Sequence, residues 1–135
     1  MHWSGILVAG LAAAIGTFFT DWFFFGVWLH DRYGTYAEVW RPGDVGGGNR
    51  SAIVATTIIN ICTCFGLVML LAWLGLLGWL PAIAFAIGVW LLLVLPMLVI
   101  NALFMRIDPL LLLPNGLGHL TRLLLCGIAT AWLVP

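Results

Sequence analysis

Charge is what this chain lacks. Only 7% of its 135 residues are Asp, Glu, Lys or Arg, against about 25% in a soluble domain. With 64% hydrophobic residues and a mean hydropathy of +1.16, so few charges cannot keep a folded surface in water, and lipid must cover most of it. Lysine is missing altogether, so all five basic residues are Arg. The formal net charge is zero, which offers nothing to nucleic acid or another polyanion. Serine occurs only at Ser4 and Ser51, neither beside a histidine. No nucleophile therefore stands with a base and an orienting acid at a recognisable spacing, and the chain is expected to be no enzyme. The loops carry no cysteine, which excludes a disulfide framework.

Three cysteines do occur, Cys62, Cys64 and Cys126, all in apolar runs. Cys62-Thr63-Cys64 has the look of a metal pair. Residues two apart on a helix, however, point about 200° away from each other. Small core residues are the better reading, since a thiol packs as a small hydrophobe. The Gly46-Gly47-Gly48 run is no phosphate loop, because no Lys-Ser/Thr follows it and no strand precedes it.

What the chain has is long apolar runs. A bilayer core about 30 Å thick needs about 20 apolar residues in a helix. Four runs qualify: Trp3 to Leu29, Ser51 to Leu74, Leu80 to Met105, and Leu117 to Val134, the shortest. The expected fold class is all-α, an integral membrane bundle of four transmembrane helices in a single domain covering residues 1–135. The N-terminus lacks a basic region and a small-residue cleavage site, so the first run is expected to be a retained helix. Gly75 to Pro81 makes the tight connection between the middle two helices. Residues 107–114, apolar and bracketed by Pro109 and Pro114, are expected to form a short interfacial or re-entrant segment. Pro96 should kink the third helix and free a carbonyl near Leu92.

Arginine sets the orientation. Arg32, Arg41 and Arg50 lie in or beside residues 30–50, and Arg106 and Arg122 flank residues 106–116. The positive-inside rule puts both loops in the cytoplasm and both termini outside. Trp3, Trp79 and Trp132 then fall near the outer face and Trp40 near the inner, as an aromatic belt requires. Ala14-Ile15-Gly16 and Ala86-Ile87-Gly88 open runs that each end near an Arg, which suggests two repeated helical hairpins. Small residues at steps of three or four (Gly5, Ala9, Ala12 and Gly16; Ala82 and Ala86; Gly127 and Ala131) predict close helix contacts in a compact antiparallel bundle. Phe18, Phe19, Phe23, Phe24 and Phe25 must in part face lipid or another subunit.

Asp21 is the most informative residue. A carboxylate inside a transmembrane helix costs about 2.5–3.5 kcal/mol near the bilayer centre, so it is turned inward, paired or neutralised. Counted from the cytoplasmic ends of the helices, Asp21, Asn60, Cys126, Asn101 and Arg122 converge on one layer in the inner half, with Thr56 and Thr57 at nearby levels. Asp21 and Arg122 differ in depth by about four residues, roughly 6 Å, which an Arg side chain can bridge. Asp108 is a rival partner for Arg122, and Thr17 a rival partner for a protonated Asp21. This polar cluster is either a scaffold that fixes helix register or a site for a proton, ion or small polar ligand. Three histidines complete the inventory. His30, at the end of the first helix, is the candidate axial ligand for a porphyrin or chlorin, without a second histidine at a matching depth. His119 fills a level near the polar layer, while His2 belongs at the opposite face, so the three cannot share a metal.

Trp22-Phe23-Phe24-Phe25-Gly26-Val27-Trp28 is an aromatic pair, a short apolar run, a glycine and a tryptophan before a polar loop. Over about the first 40 residues the chain resembles a family of small bacterial four-helix membrane proteins of unknown function. The resemblance implies four spans in a bacterial inner membrane and carries over no catalytic residue. The leading expectation is an accessory or structural subunit of a membrane assembly, with lipids and other membrane subunits or a second copy as partners and no cofactor beyond bound lipid. The alternatives are a small transporter or proton-coupled carrier using Asp21, and a pigment- or haem-associated subunit using His30.

Overall fold

The computed structural model describes residues 3–28, 30, 50–105 and 109–134. They form four helices, each long and apolar enough to cross a membrane: Trp3–Trp28 (α1), Arg50–Trp73 (α2), Trp79–Phe104 (α3) and Pro109–Leu133 (α4). No strand is present among the described residues. The expected loop of residues 30–50, with Arg32, Arg41 and the glycine run, lies almost wholly outside the described residues, as do His2, Arg106 and Asp108.

Two helices change pitch. α1 is α-helical over Trp3–Asp21 and π-helical over Trp22–Trp28. α3 is α-helical over Trp79–Val89, π-helical over Trp90–Val94, and α-helical again from Leu95. The second π turn stands just ahead of Pro96, which falls in the first turn of the following α segment. A proline has no N–H to give and crowds the carbonyl four residues back, so the preceding turn widens. The distortion expected at Pro96 takes this form.

The segment Leu110–Pro114 is not a separate interfacial piece. α4 runs unbroken from Pro109 to Leu133 with Pro114 inside it, fully buried. In an apolar surround the helix is the cheapest way to satisfy backbone groups, and Asn115 adds a bond from Nδ2 to the Leu111 carbonyl at 3.0 Å. The sequence expectation ended the loop too late because it gave both prolines the power to break a helix.

α2 ends in a Schellman motif. The Leu76 amide donates to the Leu71 carbonyl at 2.9 Å and the Gly75 amide to the Ala72 carbonyl at 3.2 Å. Gly75 adopts φ +72°, which a side chain resists.

The packing is not a closed square. α1, α2 and α4 form a mutually contacting trio, whereas α3 packs along α4 and makes no extended contact with α1 or α2. Ala82 and Ala86 of α3 are buried, and a methyl placed on Gly127 would lie 3.1 Å from the Ala82 carbonyl oxygen. Small residues thus let these two backbones approach closely. α1 differs from expectation by about one position. Its buried stripe is Ile6, Ala9, Gly10, Ala13 and Thr17, while Ala12 is exposed and Gly5 and Gly16 are half-buried. Asp21 explains the offset: stepping back four residues at a time from its inward face gives Thr17, Ala13 and Ala9. The phenylalanine girdle divides. Phe18, Phe19 and Phe23 are exposed, and Phe24 and Phe25 lie over Gly118 of α4.

Candidate functional site: a polar junction of three helices

Asp21 closes the α-helical part of α1, on the residue before its π turn. Its carboxylate is taken from two sides. Arg122 Nη2 of α4 donates to Oδ1 at 3.1 Å and to Oδ2 at 2.8 Å. Asn60 Nδ2 of α2 donates to Oδ2 at 2.7 Å. The Arg122 side chain is 11% exposed and that of Asp21 18%. Two charges, each costly alone in hydrocarbon, therefore meet with an amide that fills a further lone pair. The convergence of Asp21, Asn60 and Arg122 agrees with the depth count made on the sequence.

Asn101 does not join them. It is half-buried on α3 and makes no side-chain hydrogen bond to Asp21, Asn60 or Arg122. Depth alone suggested its inclusion, but α3 sits on the flank of α4, away from α1 and α2. Thr17 is not the partner of Asp21 either: its hydroxyl lies 3.6 Å from Cys64 Sγ. His119, one turn before Arg122 and half-buried, stands within electrostatic reach of both members of the ion pair. Arg122 Nε is buried and has no partner among the described residues. His30 is exposed.

Cys126, level with Asp21 and Asn60 by depth, belongs instead to a second layer one turn away from the ion pair. Four residues from Asp21, Asn60 and Arg122, one helical turn on, come Thr17, Cys64 and Cys126. All three are fully buried or nearly so, at 1%, 0% and 0% exposure. The Cys64 thiol lies 3.6 Å from the Thr17 hydroxyl, and Cys64 and Cys126 belong to one buried core cluster. A further turn brings Ala13, Val68 and Thr130, also buried, where the Thr130 hydroxyl turns back onto the Cys126 carbonyl at 2.7 Å. The junction thus grades from charged to thiol to apolar along the three helices. The common four-residue step on all three was the available signal. Cys62, by contrast, is exposed, as its half-turn offset from Cys64 requires. Among the described residues no group of three or more His, Cys, Asp or Glu side chains is gathered as for a metal ion.

Shallow hollows mark the described surface. One of about 440 Å³ lies against Gly66, Met69, Leu70 and Trp73 of α2. One of about 260 Å³ lies between Ala12 and Ala13 of α1 and Leu125, Ile128, Ala129, Trp132 and Leu133 of α4. Neither is lined by a member of the ion pair. No protein-family profile, no curated protein and no solved structure matches this chain.

Proposed function

We propose that this chain is a non-enzymatic integral membrane protein, an accessory or structural subunit of a bacterial inner-membrane assembly, with the ends of the described helical bundle that carry Trp3 and Trp132 outside. The observation that carries the reading is the engagement of Asp21 by α2 and α4 together. Its carboxylate is spent on tying three helices, the work of a scaffold. The apolar faces of α2 and α3 are left for lipid or neighbouring subunits, and membrane lipids are the ligands this surface suits. Purification of the untagged protein in mild detergent, with mass, subunit composition and absorbance read together, tests this. Stoichiometric foreign subunits are the expected result. A colourless species of this chain alone overturns it, and stoichiometric visible absorbance would instead favour a pigment bound through His30.

One observation favours a second reading, a small proton-coupled carrier. Arg122 Nε is a buried donor without a partner beside His119 and Asp21, and such a donor suits a water or a small polar ligand. Under that reading Asp21→Asn abolishes transport into vesicles while the bundle stays folded.

A further inference from the structure

α4 passes between the π turns of α1 and α3, and its own backbone is weakest there. Pro114 has no N–H to give to the turn behind it. Gly116 and Gly118 follow, two apart, so they face opposite sides of the helix. On one side, a methyl built on Gly116 would lie 3.8 Å from Trp90 Cζ2 and from Leu98 Cδ1 of α3. On the other, a methyl built on Gly118 would lie 3.6 Å from the Phe25 ring of α1. These are ordinary contact distances, unlike the 3.1 Å at Gly127, so packing demands a glycine at neither place. A glycine inside a helix costs about 1 kcal/mol relative to alanine, and its remaining property is backbone freedom.

The stretch is also held from outside the helical ladder. Trp90 Nε1 donates to the Gly116 carbonyl at 2.8 Å, Asn115 Nδ2 to the Leu111 carbonyl at 3.0 Å, and Thr121 Oγ1 to the Leu117 carbonyl at 2.8 Å. Helices bend at proline, at glycine and where a side chain enters the ladder, and all three causes meet here. We propose that residues 114–118 are a hinge in α4, latched by Trp90, about which the Pro109 end swings while the Arg122 end stays fixed. Arg122, one turn past Gly118, is tied to Asp21, and Leu123, Cys126 and Ala129 beyond it are buried. On the other side of the hinge, Leu110 and Leu113 are exposed. Leu110 stands six residues from Gly116, about 9 Å along the axis, so a bend of about 20° displaces it by about 3 Å. The hinge stands apart from the scaffold and carrier readings, because it needs neither a partner nor a cargo.

Paired spin labels on the full chain in mild detergent micelles, read by double electron–electron resonance, test this. Cys62→Ala removes the exposed native thiol. The hinged pair joins Met69→Cys on α2 to Leu110→Cys on α4. The reference pair joins Ile53→Cys on α2 to Trp132→Cys at the fixed end of α4, and all four sites are exposed. The hinged pair is expected to give a distance distribution broader than the reference by about 3 Å. Gly116→Ala with Gly118→Ala should narrow it to the reference width, and Gly116→Ala alone should narrow it in part. Trp90→Phe, which releases the latch, should broaden it or shift its mean. Equal widths for the two pairs in the native background, or a hinged pair indifferent to both the glycine and the Trp90 changes, overturn the proposal.

Discussion

Asp21 and Arg122 are 101 residues apart in the chain and 2.8 Å apart in space. They come from the first and last helices, so their contact closes the trio of α1, α2 and α4. Breaking a buried pair by removing one partner costs about 3–5 kcal/mol, because the other charge is stranded. Replacing both with neutral groups removes that penalty. The pair therefore specifies how the helices meet more than it adds to net stability.

Asn60 contributes less. Interhelical hydrogen bonds in membranes average about 0.6 kcal/mol. Asn60→Leu should lower stability by about 1 kcal/mol in a denaturant titration in mixed micelles, leaving the Asp21–Arg122 bonds in place. A loss comparable to that of the ion pair would mean that Asn60 organises the carboxylate.

Gly75 and Gly66 should respond oppositely to the same change. Gly75→Ala forces a side chain into left-handed backbone at about 1–2 kcal/mol. Gly66 is helical with open space where a methyl would go, so Gly66→Ala should stabilise by up to about 1 kcal/mol. Thermal unfolding followed by circular dichroism compares the two directly.

Gly127→Val should loosen α3 from the trio without unfolding it. A methyl at that position already crowds the Ala82 carbonyl, and a β-branched side chain has nowhere to move. Limited proteolysis near Gly75–Gly78 should accelerate severalfold while the helical content of the protein stays constant.

Trp90 ties the π turn of α3 to α4, its Nε1 donating to the Gly116 carbonyl at 2.8 Å. Trp90→Phe removes that bond at about 1 kcal/mol. The same titration should show the loss, and a blue-shifted tryptophan emission component should disappear with it.

Much of this architecture was legible because helices apolar enough to cross a membrane are written in long apolar runs, and the helix ends at Trp73, Trp79 and Phe104 fall within a residue of expectation. Asp21 and Arg122 were legible for a related reason: charges are so costly in hydrocarbon that few arrangements accommodate them. The start of α4 was not, because proline breaks helices in water more reliably than where the backbone has no solvent to turn to. Asn101 was misplaced because depth is one coordinate and packing needs another. Hydropathy says how far a residue lies from the interface, not which neighbour its helix leans on. Only the small residues Ala82, Ala86 and Gly127 hinted that α3 belongs to α4. Thr17 and Cys126 were assigned to the Asp21 layer by depth and sequence spacing, and Cys64 was taken for an ordinary core residue, because the second layer shows only when the three helices are aligned on the ion pair.

A double-mutant cycle on Asp21→Asn and Arg122→Gln in mixed micelles tests whether these buried charges serve as a structural tie. Each single change is expected to destabilise the bundle by about 3–5 kcal/mol, and the double to recover most of the loss. Single variants as stable as the native protein, or losses that simply add in the double, would contradict it.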